Sequence, residues 1–250
     1  MIDFHGKTAL ITGASRGIGR ACALTLAKHG CQLALNYQQS KAASDEVVQA
    51  ARKHGVVAKA YQADVTRVGE IRALVQSVTE DFGRIDVLIN SAGISQVVPV
   101  PDLSEADWER MMNVNLKGTF FCCQAVLKQM LAQKSGRIVN LASTAGQMGG
   151  FIVGVNYSAS KAGVICLTKS LAKYALPHGV TINCVAPGLI DTEMTTAYPP
   201  AQVESLVASI PMKRMGSAQE VANGIVFLAS DAASYITGTT LYINGGTYLG

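Results

Sequence analysis

The chain has 250 residues, of which 49% are hydrophobic and 15% are charged. Globular proteins average about 25% charged residues, so this composition excludes a disordered tail or scaffold and predicts a large buried core. Twenty-one Lys and Arg against seventeen Asp and Glu give a net charge of +4 without a dense basic run. Nucleic acid is therefore not an expected partner.

A length of 250 residues corresponds to one or two domains of about 150 residues, and parallel α/β folds of this size commonly form one. We expect a single domain over residues 1–250. The charge-free stretch 138–160 contains polar side chains and four glycines, which indicates buried or cofactor-facing protein rather than a membrane span.

The N-terminus has no basic region followed by an apolar stretch and a cleavage site, so a cytoplasmic protein is expected. Six cysteines form no Cys-x-x-Cys pair, which favours reduced thiols. The four histidines do not have the spacing of metal ligands, and we expect no metal site.

Strand and helix patterns alternate along the chain. Ile18, Ala21, Cys22, Thr25 and Leu26 form one helical stripe before Gly30, and further helical patterns follow near 41–54, 67–82, 104–133, 156–176 and 217–229. Runs rich in Val, Ile and Leu predict strands that are buried on both faces, at 8–12, 32–35, 87–89, 137–142, 180–185 and 240–243.

This alternation predicts an α/β protein with a Rossmann fold: a doubly wound, mostly seven-stranded parallel sheet with helices on both faces. One irregular region, 188–215, contains three prolines and has weak periodicity. It is interpreted either as a substrate lid over about 189–215 or as a plain surface loop.

A glycine-rich turn occupies residues 12–19, where the first strand ends and the first helix begins. Glycines in this setting let backbone N–H groups and the helix N-terminus approach a pyrophosphate. Since no Gly-Lys-Ser/Thr sequence ends the turn, an NTPase loop is disfavoured. The candidate dinucleotide-binding residues here are Gly13, Ser15, Arg16, Gly17, Ile18 and Gly19.

The end of the second strand bears on cofactor choice. An acidic residue there binds the adenosine ribose and repels a 2′-phosphate, whereas this chain has Asn36 and Tyr37. With Arg16 at the loop, NADP(H) is expected in preference to NAD(H). Asp64, after the third strand-like run, is a candidate either for the adenine amino group or for capping the next helix.

Tyr157 and Lys161 are four residues apart on a predicted helix, which places the ammonium one turn from the phenol. A nearby cation is expected to lower the Tyr157 pKa towards working pH, as general acid–base chemistry requires. Ser143 directly follows a strand, where its hydroxyl could hold a substrate carbonyl oxygen or cap its own turn. Asn115, a poor helix former inside a helical pattern, predicts a kink that orders a water.

Together these motifs closely resemble the short-chain dehydrogenase/reductase family over essentially the whole chain. The residues that carry the resemblance are 12–19, Asn90-Ser91-Ala92-Gly93, Asn115, Ser143, Tyr157-x-x-x-Lys161 and Pro187-Gly188. The resemblance implies a catalytic tetrad of Asn115, Ser143, Tyr157 and Lys161, and a homotetramer. It also implies a cofactor site that includes Ser15, Arg16, Ile18, Asp64, Val65, Asn90, Ala92, Gly93, Tyr157, Lys161, Pro187, Gly188, Ile190 and Thr192. The family usually has Asn where this chain has Ser91.

Within the family, the segments Tyr235-Ile236-Thr237-Gly238 and Asn244-Gly245-Gly246 make the chain most similar to 3-oxoacyl-[acyl-carrier-protein] reductases. That similarity implies NADPH-dependent reduction of a 3-oxoacyl thioester. Docking of an acidic carrier protein on Lys134 and Lys173 is one possibility, although His178 stands where such reductases often have arginine.

Two alternatives remain open at this stage. One is a dehydrogenase for a small alcohol, sugar, cyclic or steroid-like ketone, with NAD as a candidate cofactor; the other is a non-catalytic dinucleotide sensor. Residues 147–155 are expected to form a pocket wall or a subunit interface, with Met148, Phe151, Ile152 and Val153 suited to an apolar or modest-sized substrate.

Overall fold

A computed structural model describes residues 2–150, 153–196 and 198–250. A seven-stranded, fully parallel sheet has the strand order β3-β2-β1-β4-β5-β6-β9. Its strands are β1 (Thr8–Thr12), β2 (Gln32–Tyr37), β3 (Ala58–Gln62), β4 (Val87–Asn90), β5 (Gly136–Leu141), β6 (Val180–Pro187) and β9 (Thr240–Ile243). The short strands β7 (Ile190–Asp191) and β8 (Gly216–Ser217) pair separately. The predicted single-domain, seven-stranded Rossmann sheet is confirmed.

Helices connect the strands. They are α1 (Gly17–Lys28), α2 (Lys41–Arg52), α3 (Val68–Phe82), α4 (Glu105–Met112), α5 (Thr119–Gln133), α6 (Ala145–Met148), α7 (Val155–Ala175), α8 (Pro200–Ser209) and α9 (Ala218–Ala229). Helices α1, α2 and α9 cover one face of the sheet, while α3, α5 and α7 cover the other.

Alternation along the strands explains the two-layered core. In β1, Ala9 and Ile11 pack towards α1, α2 and α9, whereas Leu10 packs towards α3, α5 and α7. Successive side chains of a strand point to opposite faces, so an uninterrupted apolar strand is stable only between two layers of helices. This is why the strand sequences show runs of apolar residues rather than an alternating pattern.

Two regions differ from the predicted elements. The single helical pattern at 104–133 is divided by a π-helical segment, Asn113–Gly118, between α4 and α5. This change of winding lies at the predicted kink around Asn115. The irregular region 188–215 contains a ten-residue helix, α8, which the weak periodicity did not predict.

Candidate active site

A cavity of about 580 Å³ opens at the carboxyl ends of the parallel strands, where open α/β sheets place their ligands. Every site residue proposed from the sequence lines this cavity except Gly19, Asn90 and Asn115. The lining residues are Gly13, Ser15, Arg16, Gly17, Ile18, Asn36, Tyr37, Asp64, Val65, Ala92, Gly93, Ser143, Tyr157, Lys161, Pro187, Gly188, Ile190 and Thr192. The fold thus brings together residues that are up to 179 positions apart in the chain, from 13 to 192.

The glycine-rich turn forms a tight cradle at one side of the cavity. Gly13 has φ +64°, and a Cβ there would lie 2.8 Å from the Cα of Ala92. A Cβ on Gly19 would overlap the carbonyl oxygen of Gly13. The turn can therefore approach both the neighbouring strand end and the helix only with glycine at these positions. The open N-terminus of α1 faces the space that the cradle leaves, which fits a dinucleotide diphosphate.

Three predicted residues, Gly19, Asn90 and Asn115, do not line the cavity but support residues that do. Gly19 allows the packing just described, and Asn90 donates a hydrogen bond to Asn140 Oδ1 at 2.8 Å beneath the strand ends. Asn115 is fully buried. Its Nδ2 donates to the Ile94 carbonyl at 3.0 Å, and its Oδ1 accepts from the Ile94 N–H at 2.9 Å. Asn115 therefore fixes the segment after β4 against the π-helical turn.

At the end of β2, Asn36 and Tyr37 are both buried. The Asn36 amide donates to the carbonyl of Ala63 at 3.0 Å, joining the ends of β2 and β3. Residues 36–40 all line the cavity and include no carboxylate, while the exposed Arg16 stands at the adjoining loop. Arg16 therefore supplies a cation at this end of the cavity, where the carboxylates of Asp64 and Glu193 also belong to the lining.

Asp64 serves the turn that leads into α3. Its Oδ1 accepts hydrogen bonds from the Thr66 N–H and hydroxyl, both at 2.8 Å. Burial raises the pKa of this carboxyl, but the hydrogen bonds with Thr66 and Gln38 and the charge of Arg67 together lower it below its ordinary value. The helix N-cap itself is Arg67, so Asp64 shapes the preceding turn while it also lines the cavity.

Ser143, Tyr157 and Lys161 meet at the floor of the cavity, a name we use for these three residues. Ser143 follows β5, and its hydroxyl accepts from the Ala145 N–H at 3.2 Å. Helix α7 carries the other two side chains, with Lys161 Nζ 5.7 Å from the Tyr157 ring centroid. The ammonium donates to the Leu141 carbonyl at 2.7 Å. Helix α7 thus holds Tyr157 and Lys161, while Ser143 lies two residues past the end of β5.

Burial shifts the pKa values of Tyr157 and Lys161 in the floor. It raises the pKa of Tyr157 to about 12, against the lowering effect of a hydrogen bond with Ser143. It also lowers the pKa of Lys161 to about 8. The expectation of a lowered Tyr157 pKa was therefore wrong, because loss of hydration of the buried phenolate dominates. A neutral phenol at neutral pH is suited to donating a proton.

Several lining residues were not identified from the sequence: Gln96, Arg110, Val114, Glu193, Met194 and Thr195. Arg110 and Val114 are four residues apart, and Val114 immediately precedes Asn115. That helical spacing could have indicated that one face of the 104–133 pattern reaches the site.

None of the described residues in the expected wall, 147–150 and 153–155, lines the cavity. Met148 is exposed, and Gln147 donates to the Tyr242 hydroxyl at 2.9 Å rather than lining the cavity. Val153 packs beside Met111 and Tyr157. Phe151 and Ile152 lie outside the described residues.

Basic residues considered for carrier-protein docking do not flank the cavity. Lys134 and His178 precede β5 and β6, so they lie at the amino ends of the strands, opposite the cavity. Lys173 is twelve residues beyond Lys161 on α7, about 18 Å along the helix. Within one chain these residues therefore do not lie beside the cavity.

Comparison with known proteins agrees with this geometry. Residues 13–248 match the family model described as enoyl-(acyl carrier protein) reductase. A 3-oxoacyl-[acyl-carrier-protein] reductase of Synechocystis is 47% identical over 98% of this chain and 98% of its own length. The reductase of that name from Staphylococcus epidermidis is 45% identical over 97% of this chain and 99% of its own. The crystal structure of gox2181 has a TM-score of 0.94 at 35% identity, covering 98% of this chain and 96% of that one.

The chain belongs to the short-chain dehydrogenase/reductase family. It is an oxidoreductase that acts on CH–OH and C=O groups with a nicotinamide cofactor. In the described residues no helix combines the length and the apolarity that a bilayer crossing needs. Groups of three or more His, Cys, Asp or Glu able to hold a metal ion are likewise absent from this part of the chain.

Proposed function

We propose that the protein reduces a 3-oxoacyl thioester to the 3-hydroxyacyl thioester, with NADPH as the preferred cofactor. The observation that carries the proposal is the convergence of Ser143, Tyr157 and Lys161 with the glycine-rich cradle in one cavity. The names of the relatives at 45–47% identity support the choice of substrate class.

The proposed cofactor site follows the cavity from the cradle to the floor. The cradle holds the diphosphate, and the strand ends that carry Asn90, Ala92, Pro187 and Gly188 support the rest of the cofactor. A bound nicotinamide supplies the hydride that adds to the carbonyl carbon. The protein supplies orientation and the proton.

Tyr157 is the proposed proton donor. Its raised pKa keeps the phenol neutral, so the proton is available when negative charge develops on the carbonyl oxygen. The Ser143 hydroxyl donates a hydrogen bond to the same oxygen and stabilises its developing charge. Lys161 then stabilises the tyrosinate, since its ammonium lies one helical turn away.

Recovery of the Tyr157 proton requires a route to water. We place Asn115 in this step as a positioning residue, because its side chain fixes Ile94 and also donates to Ser160 Oγ at 3.2 Å on α7. The water that it was expected to order would lie along this link.

The preference for NADPH rests on Arg16 and on the absence of a carboxylate from residues 36–40. A 2′-phosphate placed between Arg16 and Tyr37 meets a cation rather than the usual repelling acid. Asn36 contributes by holding the ends of β2 and β3 together.

Segment 189–215 is the proposed lid. Ile190 and 192–195 line the cavity, and the Thr195 hydroxyl donates to the Ile190 carbonyl at 3.0 Å, which gives the segment its own local structure. We also propose a homotetramer as the working assembly, on the basis of family membership.

The deciding assay follows nicotinamide absorbance with purified protein and acetoacetyl thioester, with NADPH and NADH in parallel. We expect rapid turnover that is faster with NADPH. Absence of thioester reduction together with oxidation of small alcohols would replace this proposal with the alcohol dehydrogenase alternative. Tight cofactor binding without turnover on either substrate class would favour a sensor.

A further inference from the structure

Arg110 is a cation of the cavity wall that the proposed chemistry does not use. It lies on α4 and lines the cavity together with Val114, one turn further along. Its neighbour Met111 is fully buried and packs in the same cluster as Tyr157. The Arg110 backbone is therefore anchored next to the floor, while its side chain is exposed at the opening.

The Arg110 guanidinium has no partner within the described residues, since it makes neither a hydrogen bond nor an ion pair there. Asp107 lies one turn earlier on α4. Its carboxylate already accepts from Gln96 Nε2 at 3.0 Å and from the Ser104 hydroxyl. Arg110 lowers the Asp107 pKa only through its charge, after the hydrogen bonds with Ser104 and Gln96. The guanidinium thus keeps its donors available to a ligand.

The position of Arg110 separates it from the cofactor phosphates. Arg16 and Tyr37 lie at the ends of β1 and β2, whereas Arg110 shares its wall with residues 94–96, which follow β4. Since β1 lies between β2 and β4, the ends of those two strands are about 10 Å apart. A 2′-phosphate beside Tyr37 and an anion beside Arg110 therefore occupy different places.

We propose that Arg110 determines substrate specificity by binding the phosphate at the far end of a phosphopantetheine arm. This inference rests on the proposed thioester reduction. Guanidinium binds phosphate through paired hydrogen bonds, and an exposed arginine gives up little hydration to do so. In this proposal the flexible arm runs along the wall of residues 94–96 from the floor to Arg110, on the side of the cavity away from Arg16.

The test compares two substrates that differ by one phosphate, acetoacetyl-pantetheine and acetoacetyl-4′-phosphopantetheine. For Arg110→Gln we expect kcat/KM on the phosphorylated substrate to fall about tenfold, mainly through KM, as one charge-assisted contact would give. Turnover of the unphosphorylated substrate should stay unchanged, and Arg110→Lys should recover part of the loss. Arg72→Gln, the same charge change on an exposed position of α3, is the matched control.

Acetoacetyl-CoA and the acetoacetyl-carrier protein both bear this phosphate. Whichever of these two substrates loses kcat/KM in Arg110→Gln carries the phosphopantetheine arm that Arg110 recognises. Equal losses on both pantetheine substrates, or no loss on either, would overturn the inference while leaving thioester reduction intact. A weaker NADPH Kd in Arg110→Gln would assign the residue to the cofactor site instead. If the unmodified protein reduces none of these thioesters, both proposals fail.

Discussion

We call the exposed residues Arg16 and Arg110 the rim of the cavity. The floor and the rim use charge in opposite ways. Lys161 is 4% exposed and Tyr157 is 9% exposed, so burial lowers the pKa of Lys161 to about 8 and raises that of Tyr157 to about 12. The rim arginines are exposed, and among the described residues neither side chain makes an ion pair. Buried groups can be tuned for proton transfer, whereas exposed cations are better suited to selecting among anionic ligands.

Removing the Tyr157 hydroxyl should give the largest effect. Tyr157→Phe keeps the ring in the cluster with Met111 and Ala145 but removes the proton donor. Carbonyl reduction should fall by about 10²-fold or more, with the NADPH Kd nearly unchanged. Tyr174→Phe, the same change at an exposed position of α7, is the control. Full activity of Tyr157→Phe would show that the Tyr157 hydroxyl is not the proton donor.

Lys161→Met tests whether burial lowers the pKa of Lys161 in the folded protein. The folded pKa is about 8 against an ordinary 10.5, so between these values the unfolded chain binds more protons. The wild-type free energy of unfolding should therefore gain on the order of 3 kcal/mol from this residue as pH rises through that interval. Below pH 8 the burial cost is fully present.

The measurement is urea unfolding at pH 7 and pH 10 for both proteins. The stability of Lys161→Met relative to wild type should decrease towards pH 10, because the variant lacks this gain. Lys173→Met, an exposed change on the same helix, should show no comparable trend. A pH-independent difference for Lys161→Met would mean that the lysine is not desolvated as described.

At the rim, Tyr37→Asp places a carboxylate at the end of β2. The ratio of kcat/KM for NADPH to that for NADH should drop by about tenfold or more through repulsion of the 2′-phosphate. Tyr37→Asn removes the ring without adding charge and is the matched control. The same ratio in both variants would show that the phosphate is recognised elsewhere.

A smaller effect is expected in the proposed lid. Thr195→Val removes the hydroxyl that donates to the carbonyls of Ile190 and Thr192 and accepts from the Thr192 N–H. Loss of these local bonds should raise the KM for NADPH a few-fold and speed limited proteolysis of 189–215, with a stability change of about 1 kcal/mol. Unchanged KM and proteolysis would argue against a lid.

Much of the fold was predictable because its signals are local. Strands buried on both faces need unbroken apolar runs, and the helix between β1 and β2 shows its apolar stripe directly. Helix α8 was missed because its short apolar stripe, Val203, Leu206 and Val207, is only partly buried and stands among the prolines at 199, 200 and 211. The π-helical segment contains Asn115, and the sequence does not reveal the hydrogen bonds between Asn115 and Ile94.

The sequence by itself determined the glycine-rich turn, the Tyr157–Lys161 spacing and the parallel sheet, because each depends on neighbours along the chain. Only the tertiary structure decided the sign of the Tyr157 pKa shift, the bonding of Asn36 and Asp64, and the presence of Arg110 in the cavity wall. Desolvation and cavity shape depend on atoms from many distant segments, and residue spacing does not record how those segments pack.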